Sequence, residues 1–410
     1  MKTIKRLLGG SAFIAGVALL PVLAYASTAA NTTITNTVTV NYTDAANNAQ
    51  TPAQDSVAIT VNLVASAPLL SSPANIDPSA ENTLNQLTYV ITGTANGPDT
   101  YDFSSVDTPT NMDASAAFST PSVTLGGTTA AAAIGIGVTS ITVPFDGADD
   151  SDVNGIVAGD FIVIDPTGAA ELVEVDSVDE TNGPTGNTVT INLVVATTAA
   201  HVYGVIIGER QDVLVDVTTD TITTGASGTH SVVTTATSQT APNPATSQTT
   251  ATVITVRRPL LTVSKYVRND SNGTFNPAGP ADITVDSVDY FASGVSGNPG
   301  DTMQYLIVID NTAAGAGTAN NIVVSDPIPQ FTSFVASSVQ LDATGTGTFV
   351  AQDETADDGD AAELDTTGNG TLYVYAGAGG DDTTAGAGNG DGGTLLTSEI
   401  SYVIFQVTID

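Results

Sequence analysis

The 410-residue sequence contains no cysteine, no tryptophan and only two histidines. The absence of cysteine excludes disulfides, thiol catalysis and a lipid-modified N-terminal cysteine. With two histidines besides, zinc sites and Cys–His nucleophilic pairs are nearly excluded. Stability must therefore come from packed cores, and the length allows two or three of them.

Basic residues are scarce: eight lysines and arginines stand against 43 acidic residues. Three of the eight lie in residues 1–26, ahead of an apolar run (12–23) and the small-residue motif Ala24-Tyr25-Ala26, a pattern typical of a secretory signal. Removal of this signal would leave five basic and 43 acidic residues, a formal net charge of −38. Nucleic acid and anionic membranes are therefore poor partners, because binding them depends on clustered Lys and Arg.

Long apolar runs and helical periodicity are missing as well. No stretch after the signal approaches about 18 uninterrupted apolar residues, so the sequence predicts no membrane span. The most helix-like stretch, 131–135, ends in Gly135 and is followed by Gly137. Short β-branched or aromatic runs bounded by Gly, Pro, Asn and Asp recur instead, at a spacing of about 8 to 12 residues. The predicted fold class is all-β, with sandwiches or small barrels.

One stretch of the C-terminal part carries a recognisable pattern. The segment NPGDTMQYLIVIDNTAAGAGTANNIVVSDPIPQFTSFVASSV (298–339) joins a Pro-Gly-Asp turn, an alternating strand ending in Asn-Thr, a strand with Asp-Pro-hydrophobic-Pro, and an aromatic strand. It resembles the bacterial surface-protein repeat of the domain-of-unknown-function-eleven family, and the similarity covers most of residues 260–410. The resemblance implies an immunoglobulin-like sandwich in an exported structural module, and it brings no catalytic residues.

The mature chain is expected to contain tandem immunoglobulin-like β-sandwiches with an inserted small β domain. The insertion is inferred because the strands before residue 121 and after residue 210 are expected to pair as neighbours in one sheet. The expected boundaries are 27–66 for an N-terminal strand pair, 67–120 plus 211–256 for the first sandwich, 121–210 for the inserted β domain, and 257–410 for the second sandwich.

The internal sequence match predicts that two strands are displaced along the sequence. The last run, VIFQVTID (403–410), matches VLVDVTTD (213–220), after which the first sandwich continues through two more strands. The counterpart of those two strands stands at the other end of the chain, where residues 31–61 resemble residues 228–256. The second sandwich is therefore expected to lack its closing strands, and an unfilled sheet is a template for strand addition. Self-assembly is the leading functional hypothesis.

Two sets of side chains carry this hypothesis. The donor strands are expected to turn Ile34, Val38, Val40, Val57, Ile59 and Val61 inward, with Asn36 as the polar member of the first strand, and the acceptor edge is expected to present Tyr402, Ile404 and Val407. Three arrangements are open: a filament, a self-closed monomer, or a hairpin lying on the first sandwich. A head-to-tail contact whose rotation does not close yields a filament, which we favour.

The acidic loop in the inserted domain is the best local motif. Asp150-Ser-Asp152-Val-Asn154-Gly155 follows the start of a calcium-binding loop, although Phe161 occupies the position of the usual final Glu. Two further Asp/Gly loops, 353–365 and 381–391, add acidic surface. Calcium is the one cofactor this composition suggests, against the alternative of a solvated turn. The candidate ligands are Asp146, Asp149, Asp150, Asp152, Asn154 and Asp160.

These features predict a secreted structural protein that assembles with itself, head to tail, into an extracellular filament or a layer on a bacterial cell surface. The alternative is a monomeric surface adhesin whose inserted domain binds surface glycans or matrix. We expect no enzyme activity, because His201 and His230 lie among small residues without a catalytic motif. A secreted hydrolase is the third, less favoured class, since paired carboxylates are conceivable among so many acidic residues.

Overall fold

The structure is a computed structural model that describes residues 28–240, 245–356, 358–384 and 386–410. The predicted signal, 1–26, lies outside these ranges. The described chain is almost entirely β, which confirms the predicted class of tandem immunoglobulin-like sandwiches with an inserted β domain. Helical structure is confined there to one short turn of α-helix, α1 (Gly183–Gly186), and one 3-10 turn (Gly273–Phe275). No helix in the described ranges is long and apolar enough to cross a membrane.

The N-terminal strand pair is a hairpin of β1 (Thr33–Val40) and β2 (Ala53–Thr60). The strands are antiparallel, with Ile34 opposite Ile59 and Val40 opposite Ala53. Every residue of both strands is exposed, and the two strands form a sheet of their own. The hairpin therefore stands clear of the three folded units that follow it.

The first sandwich opens with six strands. The longest, β5 and β6, alternate Tyr, Phe, Leu and Val with polar residues, and their inward side chains Tyr89, Tyr101 and Phe103 fill the core. The bounds are β3 (Leu69–Leu70), β4 (Ile76–Ser79), β5 (Leu84–Thr92), β6 (Asp99–Thr110), β7 (Ala117–Phe118) and β8 (Ser122–Leu125).

The inserted domain has a separate core built from Ile and Val side chains, among them Ile141, Ile162 and Ile191. Its start lies later than predicted: β8 pairs with β6 and so belongs to the first sandwich, and the insertion begins near residue 126 instead of 121. Its strands are β9 (Gly127–Thr129), β10 (Ser140–Pro144), β11 (Phe161–Ile164), β12 (Glu171–Asp179) and β13 (Thr188–Leu193).

A single long strand, β14 (Ile206–Thr218), then joins the insertion to the first sandwich. Its beginning pairs with β11 and its remainder with β5, so the boundary predicted at 210 falls inside a continuous strand. The first sandwich closes with β15 (Ser227–Ser238), β16 (Thr246–Gln248) and β17 (Thr252–Arg257). Its second sheet has the order β4-β17-β15-β6-β8, with β16 beside β15.

The second sandwich has one sheet in the order β18-β21-β29-β24-β25, with β23 beside β29, and a facing sheet in the order β26-β27-β22-β28. A small hairpin, β19–β20, packs Val285 and Tyr290 on the outer face of the first of these sheets. The bounds are β18 (Thr262–Asn269), β19 (Ile283–Val285), β20 (Val288–Tyr290), β21 (Thr302–Asp310), β22 (Ala319–Pro327), β23 (Thr332–Phe334), β24 (Gln340–Asp342), β25 (Val350–Ala351), β26 (Ala362–Asp365), β27 (Thr371–Ala376), β28 (Gly393–Leu395) and β29 (Ile400–Ile409).

Candidate assembly site

The N-terminal hairpin carries one apolar face. Because side chains alternate along a strand and opposed residues share a face, the pairing of Ile34 with Ile59 places the predicted donor residues together. Ile34, Val38 and Val40 lie on this face with Val57 and Ile59, and two polar residues, Asn36 and Asp55, lie among them. The opposite face of β1 is entirely threonine. Val61, the sixth predicted donor residue, follows β2 and is half-buried. Val57 is 65% exposed and Ile59 62% exposed, which is unusual for β-branched residues that share a face.

The base of the hairpin is held firmly although its strands are free. The Ala30 N–H donates to the Asn96 carbonyl (2.7 Å), and the Asn96 amide donates to the carbonyls of Thr28 (2.8 Å) and Asn62 (3.2 Å). Ala30 is fully buried, and a side chain at Gly97 would meet its Cβ at 2.5 Å. The loop after β5, which contains Asn96 and Gly97, therefore packs closely against the base of the hairpin.

A candidate calcium ligand lies in the same joint. The Asn154 side chain donates to the Ala30 carbonyl (3.2 Å) and accepts from the Asn31 amide (2.8 Å). Asn154 itself is buried in a left-handed turn followed by Gly155. The Asp-Gly loop thus contributes a side chain that orients the hairpin, a role its sequence did not suggest.

A second joint, between the two sandwiches, is built in the same way. The Gly317 N–H donates to the Arg258 carbonyl (2.8 Å), and the Arg258 N–H donates to the carbonyl of buried Ala226 (2.9 Å). The Arg257 guanidinium donates to the Gly315 carbonyl of the second sandwich (3.2 Å) and is held within the first sandwich by both carboxylate oxygens of Asp77 (2.8 and 3.1 Å). In both joints the base of a strand pair sits against a glycine-containing loop that follows a long strand of the next unit.

The two joints lie at opposite ends of the first sandwich. The hairpin base contacts the loop just before β6, whereas the last residue of β6, Thr110, is opposite Thr229, next to the joint with the second sandwich. Twelve residues of extended strand span roughly 35 Å. The base of the hairpin and the second sandwich are therefore attached to opposite ends of the first sandwich.

The predicted acceptor edge is wrong. Tyr402, Ile404 and Val407 lie on β29, which pairs with β21 on one side and with β23 and β24 on the other. Tyr402 and Ile404 pack under the β19–β20 hairpin, and Val407 is in the main core. An interior strand of this kind offers no free backbone groups to a donor.

An open position exists instead beside β22. One side of this strand pairs with β27 along residues 322–327. On the other side β28 reaches only Ala319 and Ile322, so in the described parts of the chain residues 323–327 have no strand neighbour there. The comparable strand of the first sandwich, β6, has β8 on one side and β15 on the other.

The inner face of β18 is uncovered at the same place. Val263 and Lys265 stand directly opposite the core residues Ile309 and Ile307 and therefore share their face. Ile309 is 1% exposed, but Val263 is 65% exposed. The facing sheet thus stops short of β18 and leaves a groove between β18 and the free side of β22. We call this the β18–β22 groove.

A charged pair lies on the floor of the β18–β22 groove. The Lys265 ammonium is 2.5 Å from Asp326 Oδ2 and 4.6 Å from the centre of the Tyr305 ring. The Tyr305 ring stacks on that of Phe405. Burial and the nearby Asp326 charge raise the pKa of Tyr305. Lys265 is the one lysine outside the predicted signal, and it bridges the two sheets where the sandwich is open.

The candidate calcium ligands do not converge in this structure. Asp146 accepts from the N–H of Asn154 (2.7 Å), Asp152 from that of Gly155 (3.1 Å), and Asp160 from that of Val157 (2.7 Å). The N–H groups of Asp150 and the following serine donate to Glu180. The carboxylates of Asp146, Asp152 and Asp160 therefore order the loop backbone. Calcium binding here, with Asp149 among the possible ligands, stays a prediction.

The other acidic loops touch each other. The Asp382 N–H donates to the Asp360 carbonyl (2.6 Å), which joins the loop before β26 to the loop before β28. Across the residues that the structure describes, no group of three or more acidic or histidine side chains is arranged to hold a metal ion.

Both histidines belong to buried pairs. His201 Nε2 lies 2.9 Å from Glu171 Oε2, and His230 Nδ1 lies 2.6 Å from Asp107 Oδ2. Burial raises the pKa of Glu171, but hydrogen bonds from Thr198, His201 and Ala199 outweigh it and lower the pKa to about 2. Each pair holds one loop or strand against its neighbour, which is a structural role.

No known family profile and no curated protein sequence matches the chain. Among solved structures, it is similar to the C-terminal domain of the AgI/II polypeptide BspA of Streptococcus agalactiae, with 9% identity over 83% of this chain and 91% of that one, at a TM-score of 0.28. It is also similar to the full-length major pilin SpaD of Corynebacterium diphtheriae, with 10% identity over 71% and 84%, at a TM-score of 0.18. Likenesses this weak carry no argument about function.

Proposed function

We propose that the protein is an extracellular structural subunit that polymerises head to tail, each copy donating its N-terminal hairpin to the second sandwich of the next. The observation that carries this proposal is the exposed apolar face of the hairpin, on strands that resemble the closing strands of the first sandwich. The open position beside β22 gives such a hairpin a place to bind.

Burial of the hairpin face would supply the free energy of association. At about 1.5 to 3 kcal/mol for each fully buried aliphatic side chain, the five exposed donor residues would contribute on the order of 10 kcal/mol before the cost of association. Backbone pairing along β22 would satisfy polar groups that are otherwise left to water. The hairpin is already ordered at its base, so less conformational entropy would be lost on binding than for a disordered tail.

The geometry favours a polymer over a closed monomer. The hairpin and the second sandwich lie at opposite ends of the first sandwich, and both joints are fixed by buried backbone hydrogen bonds. A contact between one end of a copy and the other end of the next is heterologous, and it repeats without limit unless its rotation closes a ring. The expected product is a fibre whose successive sandwiches all have closing strands.

The first test compares the mature chain, residues 27–410, with a chain shortened by residues 27–66. Negative-stain electron microscopy and light scattering should show concentration-dependent filaments for the first and monodisperse particles for the second. A matched control replaces Val38 and Ile59 by serine, which keeps the hairpin but removes part of its apolar face, and it should also fail to assemble. Filaments from the shortened chain would contradict the proposal.

A second candidate function is adhesion through the inserted domain. Two backbone-paired segments of this domain, 134–138 and 197–203, carry large apolar side chains that are exposed. Ile136 is 69% exposed, Val202 71% and Tyr203 61%. Apolar patches of this kind mark contact surfaces. Binding of a non-polymerising protein to a glycan or matrix array, lost on replacing Val202 and Tyr203 by serine, would favour this function.

A further inference from the structure

We propose a specific register for the donated strand: β1 of one copy pairs antiparallel with the free side of β22 in the next copy, with Val38 opposite Val324 and Asn36 opposite Asp326. This inference rests on the proposed function, because it names the surface that accepts the hairpin. It follows from using the closed first sandwich as a template for the open second one.

The N-terminal hairpin can be aligned, residue by residue, with the closing strands of the first sandwich, β15 and β17. Ile59-Thr60-Val61 is identical in sequence to Ile254-Thr255-Val256. Since Ile34 is opposite Ile59 and His230 is opposite Ile254, Ile34 takes the place of His230. The same offset places Ala30 on Ala226, and both alanines are buried at the base of their strand pair. It also places Asn36 on Val232 and Val38 on Thr234.

The accepting strand, β22, can be superposed on β6 by matching the inward-facing aspartate of each strand. Asp107 of β6 and Asp326 of β22 each bond a basic side chain, His230 and Lys265, and each is followed within two residues by proline. Superposing these two acids places Ser105 on Val324. It also places Phe103 on Ile322, both of them core residues, so the inward faces of the two strands coincide.

The two superpositions together fix the register. In the first sandwich Thr234 is opposite Ser105 and Val232 is opposite Asp107. The corresponding pairs between copies are Val38 with Val324 and Asn36 with Asp326. The pairing would run over residues 323–327, and Val40 would reach Ile322, where β28 already occupies the neighbouring position. The free length of β22 would therefore accept residues 35–39 of the eight-residue strand β1.

This register accounts for the polar residue that β1 contributes to the donor face. Asn36 is the odd member among Ile34, Val38 and Val40, and it would come to lie over the Asp326–Lys265 pair on the groove floor. A donated strand takes this pair out of water, and a charge that loses water needs further hydrogen bonds. An asparagine amide both donates and accepts, so it can bond the carboxylate in a way that valine cannot.

The lack of cysteine allows a direct test by disulfide cross-linking. In a chain with Val38→Cys and Val324→Cys, assembly followed by oxidation should give a ladder of covalent multimers on a non-reducing gel. The control pairs Thr37→Cys with Val324→Cys, whose side chains would leave opposite faces of the sheet, and should give filaments without a ladder. Wild-type-like filaments with no ladder from the first pair would overturn the register and leave strand donation standing. Absence of filaments from the wild-type mature chain would overturn both.

The role of Asn36 is tested by a charge exchange. Asn36→Asp should raise the critical concentration for assembly by about tenfold or more, since it sets a carboxylate against Asp326. Adding Asp326→Asn should restore assembly toward the wild-type value, provided that circular dichroism shows the Asp326→Asn chain folded. If Asp326→Asn does not lower the critical concentration that Asn36→Asp raises, the proposal that residues 36 and 326 lie opposite each other is contradicted.

Discussion

At the scale of single residues, the informative positions are those occupied by residue types that are rare in this chain, such as lysine. With one lysine outside the predicted signal, any cation needed inside the second sandwich must come from that residue or from an arginine. Lys265 is placed on the inner face of β18, where its ammonium contacts Asp326 and lies over the rings of Tyr305 and Phe405. The cation offsets a carboxylate that would otherwise stand unpaired in a half-open core.

Replacing Lys265 by methionine should destabilise the protein, because Asp326 would keep its charge and lose its partner. We expect a loss of about 1 to 3 kcal/mol in the free energy of unfolding of the second sandwich. Urea unfolding followed by tyrosine fluorescence would measure it. The double variant Lys265→Met, Asp326→Asn should recover part of the loss. A single variant as stable as the wild type would show that the pair contributes nothing.

Glu171 gives a pH-dependent prediction at the same scale. Its pKa in the folded protein is lowered to about 2, so its stabilising effect is complete above the ordinary glutamate pKa of about 4.5 and is lost as the pH falls toward 2. The difference in free energy of unfolding between the wild type and Glu171→Gln should therefore shrink between pH 6 and pH 2.5. Thermal unfolding at each pH would measure it. A constant difference over this range would contradict the assignment.

At the scale of elements, the joint at Gly97 is the feature that mutation can address most cleanly. A Cβ at this position would lie 2.5 Å from that of Ala30, whereas a Cβ at Gly279 would meet nothing within 4 Å. Gly97→Ala should therefore loosen the hairpin base, make residues 61–66 sensitive to limited proteolysis and impair assembly, while leaving the melting of the sandwiches nearly unchanged. Gly279→Ala is the matched control. Equal protease resistance in the two variants would contradict this prediction.

Sequence patterns predicted the strands and the apolar face of the hairpin but not the open side of β22. The alternation of Ile34, Val38 and Val40 with threonine is local, and a match within the chain supplied the partner strand. Whether β29 is an edge depends on β23 and β24, short segments about 60 to 75 residues away, whose pairing leaves little trace in composition. The groove beside β22 was missed because it is defined by the short reach of β28, which only the fold reveals.

At the scale of the whole molecule, charge opposes assembly. Without the predicted signal the chain has five basic and 43 acidic residues, and a polymer brings many such chains together. Repulsion of this kind acts over the Debye length, which falls from about 30 Å at 0.01 M salt to about 8 Å at 0.15 M. Apolar burial of the hairpin face does not weaken over the same range, so the balance between the two should shift with salt.

The critical concentration for filament formation should therefore fall as sodium chloride rises from 0.01 to 0.15 M, as measured by pelleting and light scattering. Calcium and magnesium chloride at equal ionic strength separate the causes of this effect. Equal potency of the two would indicate screening alone, whereas a calcium effect that disappears in Asp150→Asn, Asp152→Asn would place an ion at the Asp-Gly loop beside the hairpin base. Assembly that is insensitive to salt would mean that repulsion between the acidic surfaces of neighbouring copies does not limit polymerisation, and it would contradict this prediction.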